Sequence, residues 1–270
     1  MYRDDIKWHE IKTIKQAWEL LQQEGNVIYS GGLGINRTKS EKIRGFININ
    51  SLSLKYLNFE DNKVIAGAGV SIAELIESPV NKGNVYSYIC NLFSKAASTP
   101  IRNRMTIGGS IVDFPIWSDI VPALIAVNAE VTLFNGKEIT VNIEEYIQKY
   151  QKELHILLNI SFENNRDNFV GYSNRLTQVR FDYPALIVNI TGIKQDISLN
   201  NIKVVVSGTK SKVEVFNNME NKIKDNFKLD LDFIKDVRFS ADYKNKIANV
   251  YIEDGLKIMN GRVKWKKFLI

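Results

Sequence analysis

TIGGSIVDFPIWSD, residues 106–119, is the stretch on which the reading of this chain turns. Two adjacent glycines, Gly108 and Gly109, follow the pair Thr106-Ile107; a short loop with Pro115 and Trp117 leads to Ser118-Asp119 and the apolar run IVPALIAVN. Asp119 is expected to N-cap a helix over that run, with Pro122 in its first turn, where a missing N–H costs nothing. Capping does not account for the glycines. A backbone stripped of side chains after an apolar strand lets N–H groups converge on an anion, and a diphosphate is the anion that most often needs such an approach.

The same device recurs towards the N-terminus. TIKQAWELLQQEG puts Ile14, Ala17, Trp18 and Leu21 on one helical face and stops at Gly25. It leads into a strand, VIYS, and then into Gly31-Gly32-Leu33-Gly34, read as a second bare loop. After FININ comes KVIAGAGVSIAELIES, a strand, a turn and a helix that Ser71 is placed to cap. Gly67 and Gly69 match the first two glycines of a dinucleotide fingerprint, but Ile72 holds the third position, so the reading favoured for them is a tight strand-to-helix turn. NVYSYICNLFSKAAS reads as helix, and AEVTLFNGKEITV as two strands joined by Asn135-Gly136 in a type I′ hairpin. From about residue 168 the pattern shifts to the strands FVGYS, ALIVNITG and IKVVVSG, followed by helical stretches in EVFNNMENKIK and ANVYIEDGLKIMNG. That shift predicts a second, α+β domain.

Composition excludes several classes. With 44% hydrophobic residues in 270, the chain has ample material for buried cores. Its longest apolar runs are too short for a membrane span, and MYRDDIKWHE carries neither a basic start nor a hydrophobic signal segment, so an intracellular, cytoplasmic protein is expected. A single cysteine, Cys90, permits no internal disulfide and no cysteine-ligated iron-sulfur cluster, and His9 and His155 alone argue against zinc. Redox chemistry would therefore use an organic cofactor. The net charge of +6 is scattered, and RVKWKK at the C-terminus reads as a solvated tail and not a nucleic-acid site.

These motifs together resemble the FAD-binding medium subunits of the molybdenum hydroxylases, the group of xanthine dehydrogenase and carbon monoxide dehydrogenase. YSGGLGI resembles the family's first pyrophosphate loop, IAGAGVSIAELIES its GA-turn and helix, and STPIRN the segment before the second glycine loop. TIGGSI, a spacer, SD and PALIAVNAEVTL resemble its signature, and ADYKNK its C-terminal tyrosine-basic motif. The resemblance runs from about residue 10 to 260 in the family's order.

It implies an α+β chain with a vanillyl-alcohol-oxidase (PCMH) type FAD-binding fold, two α/β subdomains over residues 1–165 with a boundary near 52, plus a C-terminal α+β domain over 166–270. It also implies a relay in which electrons come from a molybdopterin large subunit through an iron-sulfur small subunit to FAD, and leave to NAD or another acceptor. The cysteine-rich insertion of one subgroup is absent. Carried over residue by residue, Ser30, Gly31, Gly32, Leu33 and Gly34 would meet the pyrophosphate through backbone N–H groups. Gly108, Gly109 and Ser110 would form the second loop, with Thr106 and Asp119 as polar contacts. Arg175 falls where the family often has a lysine near the isoalloxazine; the alternative, an ordinary surface strand residue, stays open.

Four positions depart from the pattern. Leu33 and Gly34 replace the usual Thr-Asp of GGTD, Ser110 a common asparagine, and Pro115 a small polar residue. Backbone contacts to FAD survive such changes and side-chain contacts do not. A second expectation is therefore a structural paralogue that keeps the fold but binds FAD weakly or not at all. A third, a free-standing FAD oxidase, lacks an evident substrate cap or catalytic base.

Overall fold

The apolar stripe of TIKQAWELL forms α1 (Ile14–Leu21), where the Thr13 hydroxyl accepts from the Gln16 N–H as an N-cap. α1 buries Ala17 and Leu21 against Ile47, part of a cluster that also takes in Ile11 and Ile49. Ile47 belongs to a three-stranded parallel sheet in the order β1 (Lys7–Glu10), β3 (Gly45–Asn48), β2 (Asn26–Tyr29). The computed structural model describes residues 6–38, 40–79, 82–196, 198–220 and 228–261. RVKWKK, residues 262–267, lies outside them.

The first unit comprises Met1–Asn81, Ala97–Phe114 and Asn128–Asn164. Besides the parallel sheet it holds a five-stranded antiparallel one in the order β4 (Leu57–Glu60), β5 (Lys63–Gly67), β8 (Ile156–Glu163), β6 (Glu130–Phe134), β7 (Glu138–Asn142). Three helices of this unit position the motifs: α2 (Leu33–Thr38), α3 (Ile72–Glu77) and, further along the chain, α6 (Ile107–Asp113). Ser71 and Glu74 form a full capping box at α3, as the sequence leads one to expect.

The second unit comprises Lys82–Ala96, Pro115–Val127 and Asn165–Ile270. Its antiparallel sheet runs β12 (Lys212–Phe216), β11 (Ser198–Thr209), β10 (Leu186–Gln195), β9 (Phe169–Leu176), and α8 (Ala241–Met259) packs on it through Ala248, Ile252, Leu256 and Met259. Two segments that a single division at 165 assigns to the first domain thus cluster with the second. They carry α4 (Asn84–Ser94) and α7 (Ile120–Ala126). Every residue of α7 is buried, so it needs neighbours on all sides. Its last carbonyls are met from the sheet: the Thr191 hydroxyl donates to Ala126 O and the Lys203 ammonium to Ile125 O.

Several local readings need correction. GGLGINRT is not a loop throughout, because Leu33–Thr38 is helical. TIGGSIVD is likewise helical from Ile107, with Thr106 as its N-cap. The β6–β7 connection is not a two-residue turn: Phe134 pairs with Glu138, so three residues lie between, of which Gly136 alone has a positive φ (101°). Glu214–Phe216 belongs to β12 and is not helix, while residues 221–224 of that stretch lie outside the described ones. Asp119 makes no capping hydrogen bond; Ser118 Oγ accepts from Val121 N instead, and the Asp119 carboxylate turns elsewhere.

Candidate cofactor-binding site

The two glycine runs look alike in sequence and differ in structure. Residues 105–108 run antiparallel to the GAG turn: Ile72 N–H donates to Met105 O, Ile107 N–H to Val70 O and Gly108 N–H to Ala68 O. A Cβ on Gly108 would sit 2.8 Å from the Ala68 Cβ, so Gly108 is bare because another chain segment passes against it. Gly109 N–H goes to Thr106 Oγ1 at 3.2 Å, and Ser110 donates from both N and Oγ to Thr106 O. The expectation that this run holds free N–H groups is therefore not met. Its crowding is limited to one side chain: a Cβ at Gly109 would meet Thr106 Oγ1 at 2.9 Å, the hydroxyl that caps the helix.

In the first run the donors remain. Among the described residues, nothing accepts from the N–H groups of Gly31, Gly32, Leu33 or Gly34. Gly32 has φ +76°, a region that a side chain strongly disfavours, and a Cβ there would lie 2.9 Å from the Tyr29 ring. A turn that directs successive N–H groups outward is a nest for an anion. Ser30 sits at its start, with Oγ 3.5 Å from Asn50 Oδ1.

Three charged residues that the sequence reading does not single out frame this turn. Arg104 donates to Gly31 O from Nε at 3.2 Å and from Nη2 at 3.0 Å, and a Cβ on Gly31 would collide with Arg104 O at 1.8 Å. Arg37, at the end of α2, donates to both carboxylate oxygens of Asp113, at the end of α6 (3.0 and 2.8 Å). That pair is about 40% exposed, so it contributes at most about 1 kcal/mol, and its effect is to fix α2 against α6. A Cβ at Gly34 would come to 3.4 Å from the Asp113 carboxyl, an ordinary contact, so the pair does not require glycine there. The available sequence signal is IRNR, with a cation two residues before Thr106.

Asp119 and Arg175 belong to the second unit. They form a buried ion pair, Nε to Oδ1 at 2.8 Å and Nη2 to Oδ2 at 3.1 Å, with side chains 10% and 11% exposed. Arg175 also donates to Lys95 O at 2.9 Å and Asp182 O at 3.3 Å, so it is neither a surface strand residue nor an uncompensated cation. Burial pushes the Asp119 carboxyl up to about 6 against the opposing pull of Arg175 and Lys95, and burial pushes Lys95 down. Lys244 of ADYKNK is buried too, donating to Asp236 Oδ2 at 2.7 Å and Ile234 O at 2.8 Å. His155 uses both ring nitrogens internally, on Tyr146 OH and Glu153 O.

Residues 4–162 match the sequence model of the family described as the FAD binding domain in molybdopterin dehydrogenase. The chain belongs to this family. FAD is the cofactor, and the four unengaged donors at residues 31–34 fit its diphosphate. Probable aldehyde oxidase 2 of Oryza sativa subsp. japonica is 35% identical over 111 residues, covering 38% of this chain and 8% of that protein. Indole-3-acetaldehyde oxidase of Zea mays is 30% identical over 156 residues, 54% of this chain and 12% of that protein. The chain thus corresponds to a small part of these relatives.

Among solved structures, a carbon monoxide dehydrogenase from Hydrogenophaga pseudoflava that lacks the Mo-pyranopterin moiety superposes with a TM-score of 0.82 at 19% identity, covering 98% of this chain and 100% of that one. Quinoline 2-oxidoreductase from Pseudomonas putida 86 gives 0.81 at 11% identity, with 96% and 98% covered. At such identities the likeness establishes the fold, the α+β arrangement with a PCMH-type FAD-binding part. The family member is an FAD-binding component of the molybdenum hydroxylase type.

The contrast between the two central glycines of the second run gives a prediction. Gly108→Val should destabilise the fold by about 1–3 kcal/mol through overpacking against Ala68. Gly109→Val, which crowds only the Thr106 hydroxyl, should fold and lower FAD affinity about tenfold, or roughly 1.4 kcal/mol, by adding a side chain to this face. Urea unfolding followed by circular dichroism, together with flavin fluorescence titration, separates the two effects. A folded Gly109→Val protein with unchanged affinity would remove that face from the site.

Proposed function

We propose that this chain is the electron-transfer flavoprotein subunit of a molybdenum hydroxylase complex. In this reading it takes electrons from an iron-sulfur small subunit, downstream of a molybdopterin large subunit, and passes them on to NAD or another acceptor. The observation that carries the reading is the turn at residues 31–34, with its unengaged N–H groups inside the family-matched segment. Bound FAD would supply the ability to accept electrons from one partner and release them to another. The chain's own residues bind and orient it: Gly31, Gly32, Leu33 and Gly34 offer N–H groups to the diphosphate, and Ser30 opens that turn. Thr106, Gly108, Gly109 and Ser110 build the wall provided by α6. Asp119 and Arg175 enter the reading as one charge-compensated pair.

The relatives' names support an oxidoreductase setting, since those named above are two aldehyde oxidases, a carbon monoxide dehydrogenase and a quinoline 2-oxidoreductase. Cys90 is the chain's one cysteine, and it is buried, so clusters would sit on another chain. No described helix is long and apolar enough to cross a membrane.

The FAD-loaded chain alone should show negligible turnover with purines, aldehydes or aromatic acids, because chemistry on the substrate would belong to a partner's molybdenum centre. After chemical reduction of its flavin, oxidised absorbance should return when NAD or another acceptor is added. Robust substrate turnover by the isolated chain would contradict the proposal. A second reading, the structural paralogue, draws support from the engaged N–H groups at residues 107–110 and from Leu33 and Gly34. It predicts no stoichiometric FAD uptake.

A further inference from the structure

Arg104 is exposed, lies between α5 (Thr99–Arg102) and α6, and reaches the carbonyl of Gly31 with Nε and Nη2. Nη2 also lies 3.4 Å from Tyr29 OH. Among the described residues no carboxylate faces Arg104, and Nη1 has no acceptor. The other arginine beside this turn, Arg37, is by contrast paired with Asp113. An exposed cation held in a fixed fork, uncompensated and touching the first residue of a peptide nest with four free donors, is the arrangement that meets a dianion.

We infer that Arg104 is the cationic ligand of the cofactor's diphosphate. This rests on the reading of residues 31–34 as the diphosphate site. The division of labour has a physical reason. At α6 the N–H groups of Ile107, Gly108, Gly109 and Ser110 are engaged within the protein, so that run has few donors to give. The charge that neutralises the diphosphate then comes from the side chain just ahead of it. Binding Gly31 O with two nitrogens restrains the guanidinium and leaves Nη1 without an acceptor among the described residues.

The test is titration of FAD, and separately of ADP, into FAD-free wild type, Arg104→Gln and Arg104→Lys, each at low and high salt. ADP carries the diphosphate without a flavin. Arg104→Gln should weaken both ligands about tenfold or more at low salt, and the difference from wild type should shrink at high salt, because a direct charge contact is screened. Arg104→Lys, which keeps the charge but not the fork, should recover most of the loss. A loss equal at both salts would mean that Arg104 acts only by holding Gly31 O and would overturn the inference, as would unchanged affinity in Arg104→Gln. Unfolding of Arg104→Gln leaves Arg104→Lys to decide: loss of both affinity and salt dependence in that variant would contradict a role through charge. If wild type binds neither FAD nor ADP, the diphosphate reading itself fails. If wild type binds both and Arg104→Gln binds them equally well, only the assignment of Arg104 fails.

Discussion

Arg175→Ala should cost about 3–5 kcal/mol of stability, because it leaves a carboxylate buried without its partner. The Arg175 side chain is 10% exposed and that of Asp119 11%, and the two meet at 2.8 Å. Arg175 also fastens strand β9 to the carbonyls of Lys95 and Asp182, so its removal orphans acceptors as well as a charge. Asp119→Asn should cost less, since the carbonyls still receive the guanidinium. The pair also gives a pH dependence. Asp119 has its carboxyl raised from an ordinary 3.8 to about 6. Between those values the folded chain holds more protons than the unfolded one, so this group's contribution to stability falls as pH rises from about 4 to 6. Urea midpoints for wild type and Asp119→Asn across that window test the sign: the variant should lack this fall. An Arg175→Ala protein within about 1 kcal/mol of wild type would show that the ion pair does not hold the unit together.

Gly32→Val should lower FAD affinity about a hundredfold, roughly 2.7 kcal/mol. At φ +76° a β-branched residue is doubly disfavoured, by its backbone and by the Tyr29 ring 2.9 Å from its Cβ. The turn would reopen and its N–H groups would no longer converge. Because the strain is local to residues 30–34, far-UV circular dichroism should change little while flavin titration collapses. Wild-type affinity in a folded Gly32→Val protein would exclude this turn from the site.

Local chemistry made much of the fold legible. The capping box at Ser71 and Glu74, the apolar stripe of α1 and the apolar runs of β10 and β11 each declare themselves within a few residues. The helix Leu33–Thr38 does not, because six residues that include Gly34 have little intrinsic helical preference. EVFNNMENKIK reads as helix in sequence, and only the pairing of Glu214–Phe216 with β11 shows its start to be strand. At the site, sequence locates both glycine runs but cannot tell them apart. Whether a glycine is bare for a ligand or for a neighbouring chain depends on partners far along the sequence, such as Ala68 for Gly108 and Arg104 for Gly31. For the same reason Asp119 reads as a cap. Its true partner, Arg175, lies 56 residues away.

The central claim is that this chain holds FAD, and stoichiometric uptake tests it most directly. Protein supplied with FAD and freed of excess should be yellow, with flavin absorbance close to one FAD per chain, and ADP should compete for that uptake through the diphosphate turn. A folded, colourless protein that retains no FAD after the same treatment would contradict the account and leave the structural paralogue in its place.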